Sequence, residues 1–216
     1  YPFFVKEWKN FSQYIYFSGN TENDEELIIK YGGIGESAKR EYKILEFLRK
    51  SDFKFFPKPY YFRSNFSEKF VAIEKITGDR LDKLIASNVL KSKSNQYQLN
   101  LYRGLYQILK ILHGSKIVHR DIRPENLIIK SNGLPILIDF QFSVDVKRKY
   151  FKEFKIIRKK PRLIKNLGSY YAKNKSHWDD AHSVIKILDK LNFTSNSEFT
   201  EIKNKTNSLI GKYEII

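Results

Sequence analysis

The spacing of apolar and polar positions changes character along the chain. Up to about residue 75, short aromatic and β-branched runs, Phe3-Phe4-Val5, Gln13-Tyr14-Ile15-Tyr16-Phe17 and Glu26-Leu27-Ile28-Ile29-Lys30, are separated by Asn, Ser, Gly and Asp. This pattern predicts a small antiparallel meander, with Phe70-Val71-Ala72-Ile73 as a further strand. One helix interrupts it: over residues 36–50 Ala38, Glu41, Leu45 and Leu48 fall on one face. Beyond residue 78 the helical period takes over. Leu101, Leu105, Ile108 and Leu112 recur at i, i+4, i+7 and i+11, with Gly114 as the expected stop. Ile117-Val118, Leu127-Ile128-Ile129 and Pro135-Ile136-Leu137-Ile138 are short apolar strands, the last two around a turn at Ser131-Asn132-Gly133. A final helix near 178–191 places Ala181, Val184, Ile185 and Leu188 on one side.

Glu41 is the odd member of its stripe. A carboxylate on a core-facing stripe needs a cationic partner, because an unpaired buried charge is very costly. Helical geometry alone favours the alternative, a stripe-edge carboxylate that reaches solvent.

Composition narrows the possible chemistry. The 216 residues are 41% apolar or aromatic, enough for a buried core, and they contain neither Cys nor Met. Disulfides, thiolate metal sites and cysteine nucleophiles are therefore excluded. No run approaches a membrane span and the N-terminus lacks the layout of a signal peptide, so a cytoplasmic location is expected. Without an initiator Met, the chain is expected to lack a leading segment. The net charge of +16 predicts an acidic partner: nucleic acid, nucleotide phosphate or an anionic membrane surface.

The densest chemistry lies in His119-Arg120-Asp121-Ile122-Arg123-Pro124-Glu125-Asn126, followed thirteen residues after Asn126 by Asp139-Phe140. This stretch resembles the catalytic loop and metal-binding aspartate of the protein kinase superfamily. The resemblance implies an α+β, bilobal protein-kinase-like fold: a small antiparallel β-sheet N-lobe with one helix over 1–75, and a mainly helical, shortened C-lobe over 76–216. It also implies ATP and Mg²⁺ as cofactors. Asp121 would accept the proton of the acceptor hydroxyl, Asn126 and Asp139 would hold Mg²⁺, and Arg123 would steady the γ-phosphate. Lys30 would contact the α- and β-phosphates and Glu41 would orient it, with Glu46 as the alternative because the Lys-to-Glu connection is short. Glu74 and Ile76, in a hinge near 74–78, would bind adenine through backbone groups. By the same resemblance Asp180, His119 and the Asp180-Ala181-His182-Ser183 helix start are structural, while His113 and His177 are ordinary histidines.

Several features depart from the family pattern. The first hairpin, Trp8-Lys9-Asn10-Phe11-Ser12-Gln13-Tyr14, has no glycine, so Ser12 and Lys9 are the candidates to compensate at the phosphates. Gly32-Gly33-Ile34-Gly35 follows the lysine strand instead of preceding it and reads as a tight turn. Asp139-Phe140-Gln141 replaces Asp-Phe-Gly, and Ala-Pro-Glu is absent. With about 35 residues after Asp180, the chain resembles small bacterial kinases of lipopolysaccharide or other envelope glycans. A glycan or glycolipid acceptor is thus the first expectation, a Ser/Thr protein kinase the alternative, and a pseudokinase or nucleotide-binding scaffold the second alternative.

Residues 147–165 carry ten Lys or Arg against Glu153 alone, interleaved with Phe151, Phe154, Ile157 and Leu163. The segment reads either as a peripheral contact with the anionic inner face of a membrane or as a solvated charged face. No nucleic-acid module accompanies it, so nucleic acid is not the expected partner.

Overall fold

The computed structural model describes residues 4–11, 14–33, 36–51, 54–145, 179–194 and 196–212. The basic segment 147–165, Ser12 and His177 lie outside the described residues. The chain divides into two units, Tyr1–Thr77 with Asp139–Phe142, and Gly78–Ile138 with Ser143–Ile216. The sequence-based division placed 139–142 in the second part.

The first unit is built on a five-stranded antiparallel sheet in the order β1-β2-β3-β5-β4. Its strands are β1 (Phe4–Phe11), β2 (Tyr14–Asn20), β3 (Glu26–Gly32), β4 (Pro59–Ser64) and β5 (Lys69–Glu74). Alternation along β3 sorts its side chains. Leu27 and Ile29 join Phe70 and Ala72 in a cluster on one face, with Phe17 and Tyr60 against it. Lys30 points to the other face, opposite Tyr16 on β2 and Val71 on β5. That face meets α1 (Ser37–Ser51), which packs on β4 and β5; Tyr42 of α1 and Phe62 of β4 have ring centroids 4.7 Å apart. Leu45 and Leu48 are fully buried, each contributing roughly 1.5–3 kcal/mol of apolar transfer energy.

The turn from β3 into α1 requires glycine at Gly33. Its φ is 94°, and a Cβ there would fall 2.5 Å from both the Tyr14 hydroxyl and Ser37 Oγ.

In the second unit the long helix α3 (Asn95–Ser115) carries the core through Leu101, Leu105, Ile108 and Leu112. Ser94 caps it by accepting the Tyr97 N–H at 3.2 Å. Gly114, expected to stop the helix, is instead inside it. Gly114 is not among the residues with positive φ, and the reversal falls on Lys116 in the left-handed region. The preceding α2 spans Leu81–Ala86.

β6 (Asp79–Arg80), β8 (Leu127–Ile129) and β9 (Pro135–Leu137) make a small sheet, and β7 (Ile117–Val118) pairs with β10 (Val144–Asp145). The β8–β9 turn also requires glycine: Gly133 has φ 86° and a Cβ would collide with the Tyr97 carbonyl. Two further helices, α4 (Asp180–Leu191) and α5 (Ser197–Asn207), pack on α3. Tyr102 of α3 donates to the Leu188 carbonyl at 3.0 Å and packs edge-on against Phe199 of α5.

Candidate active site

In the first unit β3 and α1 converge on one buried charge cluster. Lys30 Nζ donates to Glu41 Oε1 at 2.7 Å and to Asp139 Oδ1 at 3.0 Å. Lys30 is 4% exposed and Glu41 0%. The solvent-reaching alternative for Glu41 is thereby overturned: one turn of α1 past Ser37, its side chain is directed at the sheet and finds the cation it needs. Glu46 is the partly exposed partner of Lys43 and takes no part.

Burial by itself would push the Lys30 amine down, but the Asp139 and Glu41 carboxylates outweigh it and hold the amine above its ordinary value, protonated. Burial raises Glu41, opposed by the Lys30 charge.

Asp139 opens the short segment that returns to the first unit. It has φ 70°, and Phe140–Phe142 form a single 3-10 turn. Neighbouring residues of α1 fasten that turn. Glu41 Oε1 accepts the Phe140 N–H at 3.2 Å, and Arg40 donates to the Gln141 carbonyl at 2.8 Å. Phe140 is buried edge-on against Phe56, 5.7 Å between centroids.

The left-handed residue is thus Asp139, not its second neighbour, so Gln141 stands where the family has glycine without needing positive φ. Its amide donates to Asp139 Oδ2 at 3.3 Å.

The β1–β2 hairpin pairs up to Phe11 opposite Tyr14. Tyr14 and Tyr16 alternate onto the Lys30 face of β2, their rings 6.1 Å apart. The buried Tyr14 hydroxyl donates to Ser37 Oγ at 2.9 Å, and burial raises it well above the usual phenol range. Burial also raises Tyr16, against the opposing pull of Lys30.

At the end of β5 the Glu74 carboxylate accepts the Lys58 N–H at 2.9 Å, and the Glu74 N–H goes to the Lys58 carbonyl at 2.7 Å. Ile76 lies in the strand-free connection that follows, after Lys75 donates its N–H to the Glu26 carbonyl.

In the second unit the loop leaving β7 is shaped by carboxylates that accept backbone N–H groups. Asp180 Oδ2 and Oδ1 accept the amides of His119 and Arg120 at 2.6 and 3.0 Å. Burial raises Asp180 to about 7 against the pull of those two donors. The His119 ring accepts the Asp121 N–H on Nδ1 at 3.3 Å, which leaves Nε2 as the donor to the Ile138 carbonyl at 3.1 Å. His119 is therefore neutral in this arrangement.

Asn126 Nδ2 donates to both the Asp121 carbonyl and Asp121 Oδ2 at 2.9 Å. Arg123 Nε lies 3.7 Å from Asp121 Oδ1. The Asn126 carbonyl accepts the Ile138 N–H at 3.0 Å, tying the loop to the strand pair β8–β9.

The protein kinase domain model matches residues 21–159, more than half of the chain. The chain belongs to the protein kinase domain family. Individual relatives agree. It is 32% identical to the serine/threonine-protein kinase D of Synechocystis over 124 residues, 57% of this chain and 22% of that protein. It is also 32% identical to the serine/threonine-protein kinase PknA of Nostoc over 111 residues, 51% of this chain and 19% of that one. A longer match, 183 residues at 28% identity, covers 81% of this chain and 17% of cyclin-dependent kinase-like 5 of Mus musculus. The chain thus spans about a fifth of the length of these relatives.

Sequence reasoning missed three contributors to this kinase-family site. Arg40 and the Gln141 amide act on Asp139 and its turn, and Asp179 caps α4 by accepting the Ala181 and His182 N–H groups while also accepting that of Gly211 at 2.8 Å. The last had a visible signal, an Asp immediately before a helical stripe. The first two had none, because they depend on how α1 lies against a segment a hundred residues away.

Proposed function

We propose that the chain is an ATP- and Mg²⁺-dependent phosphotransferase whose acceptor is a Ser or Thr hydroxyl of a protein. The observation that carries this reading is the Lys30 ammonium held between Glu41 at 2.7 Å and Asp139 at 3.0 Å. A buried lysine kept protonated and oriented by two carboxylates is suited to offer its remaining N–H to a nucleotide phosphate.

The donor set fits Mg²⁺. Among the described residues no group of three or more His, Cys, Asp or Glu could hold a metal. Mg²⁺ needs none, since it binds through one or two protein oxygens together with substrate phosphates. In the cluster one ammonium faces two carboxylates, so added positive charge would be welcome. Asp139 and Asn126 would hold the ion, which when bound neutralises charge developing on the phosphates.

Asp121 accepts the proton of the acceptor hydroxyl as its oxygen bonds to the γ-phosphorus, the bond from that phosphorus to the β-phosphate oxygen breaks, and ADP leaves. The Asn126 amide holds Asp121, and Arg123 steadies the γ-phosphate. Backbone groups of Glu74 and Ile76 receive the adenine, and Ser12, outside the described residues, is the hairpin's candidate to contact the phosphates.

That the relatives are serine/threonine-protein kinases supports a protein acceptor over the glycan expected from the short C-terminal stretch. That stretch carries no weight for a chain spanning about a fifth of its relatives. Among the described residues no helix is long and apolar enough to cross a membrane, and membrane contact through 147–165 is a separate proposal. Flotation with anionic liposomes should weaken with salt if that segment binds them.

Labelled ATP offered with separate protein and glycolipid pools tests the acceptor. Label is expected in protein; label confined to glycolipid would restore the glycan reading. Asp121→Ala should lower transfer by about 10²–10⁴-fold while Mg-ATP binding persists. Unchanged turnover would refute the catalytic assignment. Mg-ATP binding without any turnover of the wild-type chain would point to a nucleotide-binding scaffold.

A further inference from the structure

Gln141 breaks the family pattern at a position where a side chain meets the metal-binding carboxylate, and its geometry gives that departure a use. Asp139 Oδ1 is engaged by Lys30 at 3.0 Å and Oδ2 by Gln141 Nε2 at 3.3 Å. Two donors on the two oxygens fix the carboxylate's rotation about its side-chain bonds. Gln141 is fixed in turn, because Arg40 of α1 donates to its carbonyl at 2.8 Å. The preceding Phe140 N–H is held by Glu41. Consecutive residues of α1 therefore set both the lysine's carboxylate partner and the turn that carries the amide.

We propose that Gln141 is a positioning residue for Asp139, holding its carboxylate in a metal-receiving orientation, and that Arg40 anchors it to α1. This inference rests on the phosphotransferase reading. A glycine at this position has no side-chain amide to supply; here the glutamine couples the metal ligand to the helix bearing Glu41. Each carboxylate oxygen has more than one lone-pair site, so a hydrogen bond on Oδ2 orients the group without closing it to a cation. Such supporting hydrogen bonds act on metal affinity more than on the fold.

The test compares the wild-type full chain with Gln141→Met, which keeps length but loses the amide, and Gln141→Gly, which restores the family's residue. Mn²⁺ affinity is read by electron paramagnetic resonance with a non-hydrolysable ATP analogue, beside melting temperature and metal-free nucleotide binding.

Both variants are expected to bind Mn²⁺ about 10- to 100-fold more weakly, with metal-free nucleotide binding unchanged. Turnover should require correspondingly more Mg²⁺ but regain the wild-type kcat at saturation. Mn²⁺ affinity within about twofold of wild type in either variant would overturn the role of Gln141 while leaving the phosphotransferase reading standing. A wild-type chain that takes up no Mn²⁺ with the nucleotide analogue would overturn both.

Discussion

The two units hold buried carboxylates by different physical means. In the first, Glu41 and Asp139 are set against the Lys30 ammonium, charge to charge. In the second, Asp180 accepts two backbone amides and Asp121 the Asn126 side-chain amide, so neutral donors do most of the holding. An ion cluster depends on the identity of each member, because removing one leaves an uncompensated charge in a poorly solvated place. A carboxylate bound to backbone N–H groups fixes the path of the chain instead, and its loss loosens a loop. The first arrangement keeps a buried ammonium charged; the second fixes the orientation of the loop that carries Asp121 and Asn126.

The sharpest way to break the contrast is Lys30→Met. Glu41 would be left buried without its cation, and unfolding free energy measured in urea should fall by about 3–5 kcal/mol. The double variant Lys30→Met with Glu41→Leu should recover much of that loss, since a well-packed apolar pair removes the orphaned charge. If the double variant were no more stable than the single one, the cluster would not be governed by its charges.

A smaller loss is expected on the other side of the comparison. Asp180→Ala strips the acceptors from the His119 and Arg120 amides, at a cost of about 1–3 kcal/mol. Hydrogen exchange at those two amides should accelerate, whereas Lys30→Met should leave them protected.

The same carboxylate predicts a pH dependence. Asp180 rises to about 7 in the fold from the ordinary carboxylate value of about 3.9, so the folded chain binds its proton more tightly than the unfolded one. Its contribution is complete below about pH 4 and is lost as pH rises through about 7. Urea titrations from pH 5 to 8 should show wild-type stability falling with pH, and Asp180→Asn should lack that component. An identical slope in the two proteins would remove Asp180 as the source.

The smallest effect concerns the hairpin. Tyr14→Phe removes one buried hydrogen bond to Ser37, worth about 1 kcal/mol. Calorimetry should show a modest drop in melting temperature, while the Lys30 cluster remains formed.

Much of the site was legible along the chain. The spacing from Asp121 through Asn126 to Asp139 is local sequence information, and strands on either side of it are short apolar runs that periodicity detects. Glu41 shows where that legibility ended. Helical period placed it on the buried stripe, yet the same geometry allowed it to reach solvent, and its partner on β3 is specified by sheet packing. Gly114 failed for a related reason. A glycine after an apolar stripe signals a stop, but glycine also accepts helical backbone angles, and α3 runs through it to Ser115 with Lys116 as the left-handed cap. Gln141 reads in sequence only as a missing glycine; its hydrogen bond to Asp139 depends on a turn anchored by Arg40.

By itself the sequence determined the chemical inventory and its order: one lysine strand, one carboxylate helix, one Asp-to-Asn loop and a following Asp-Phe pair. It could do so because backbone period and local spacing are properties of neighbouring residues. Only the tertiary structure decided which carboxylates share the lysine, which residue takes the left-handed turn, and what Gln141 touches. Those outcomes arise from burial, which brings together residues separated by up to 109 positions and makes each buried charge find a partner.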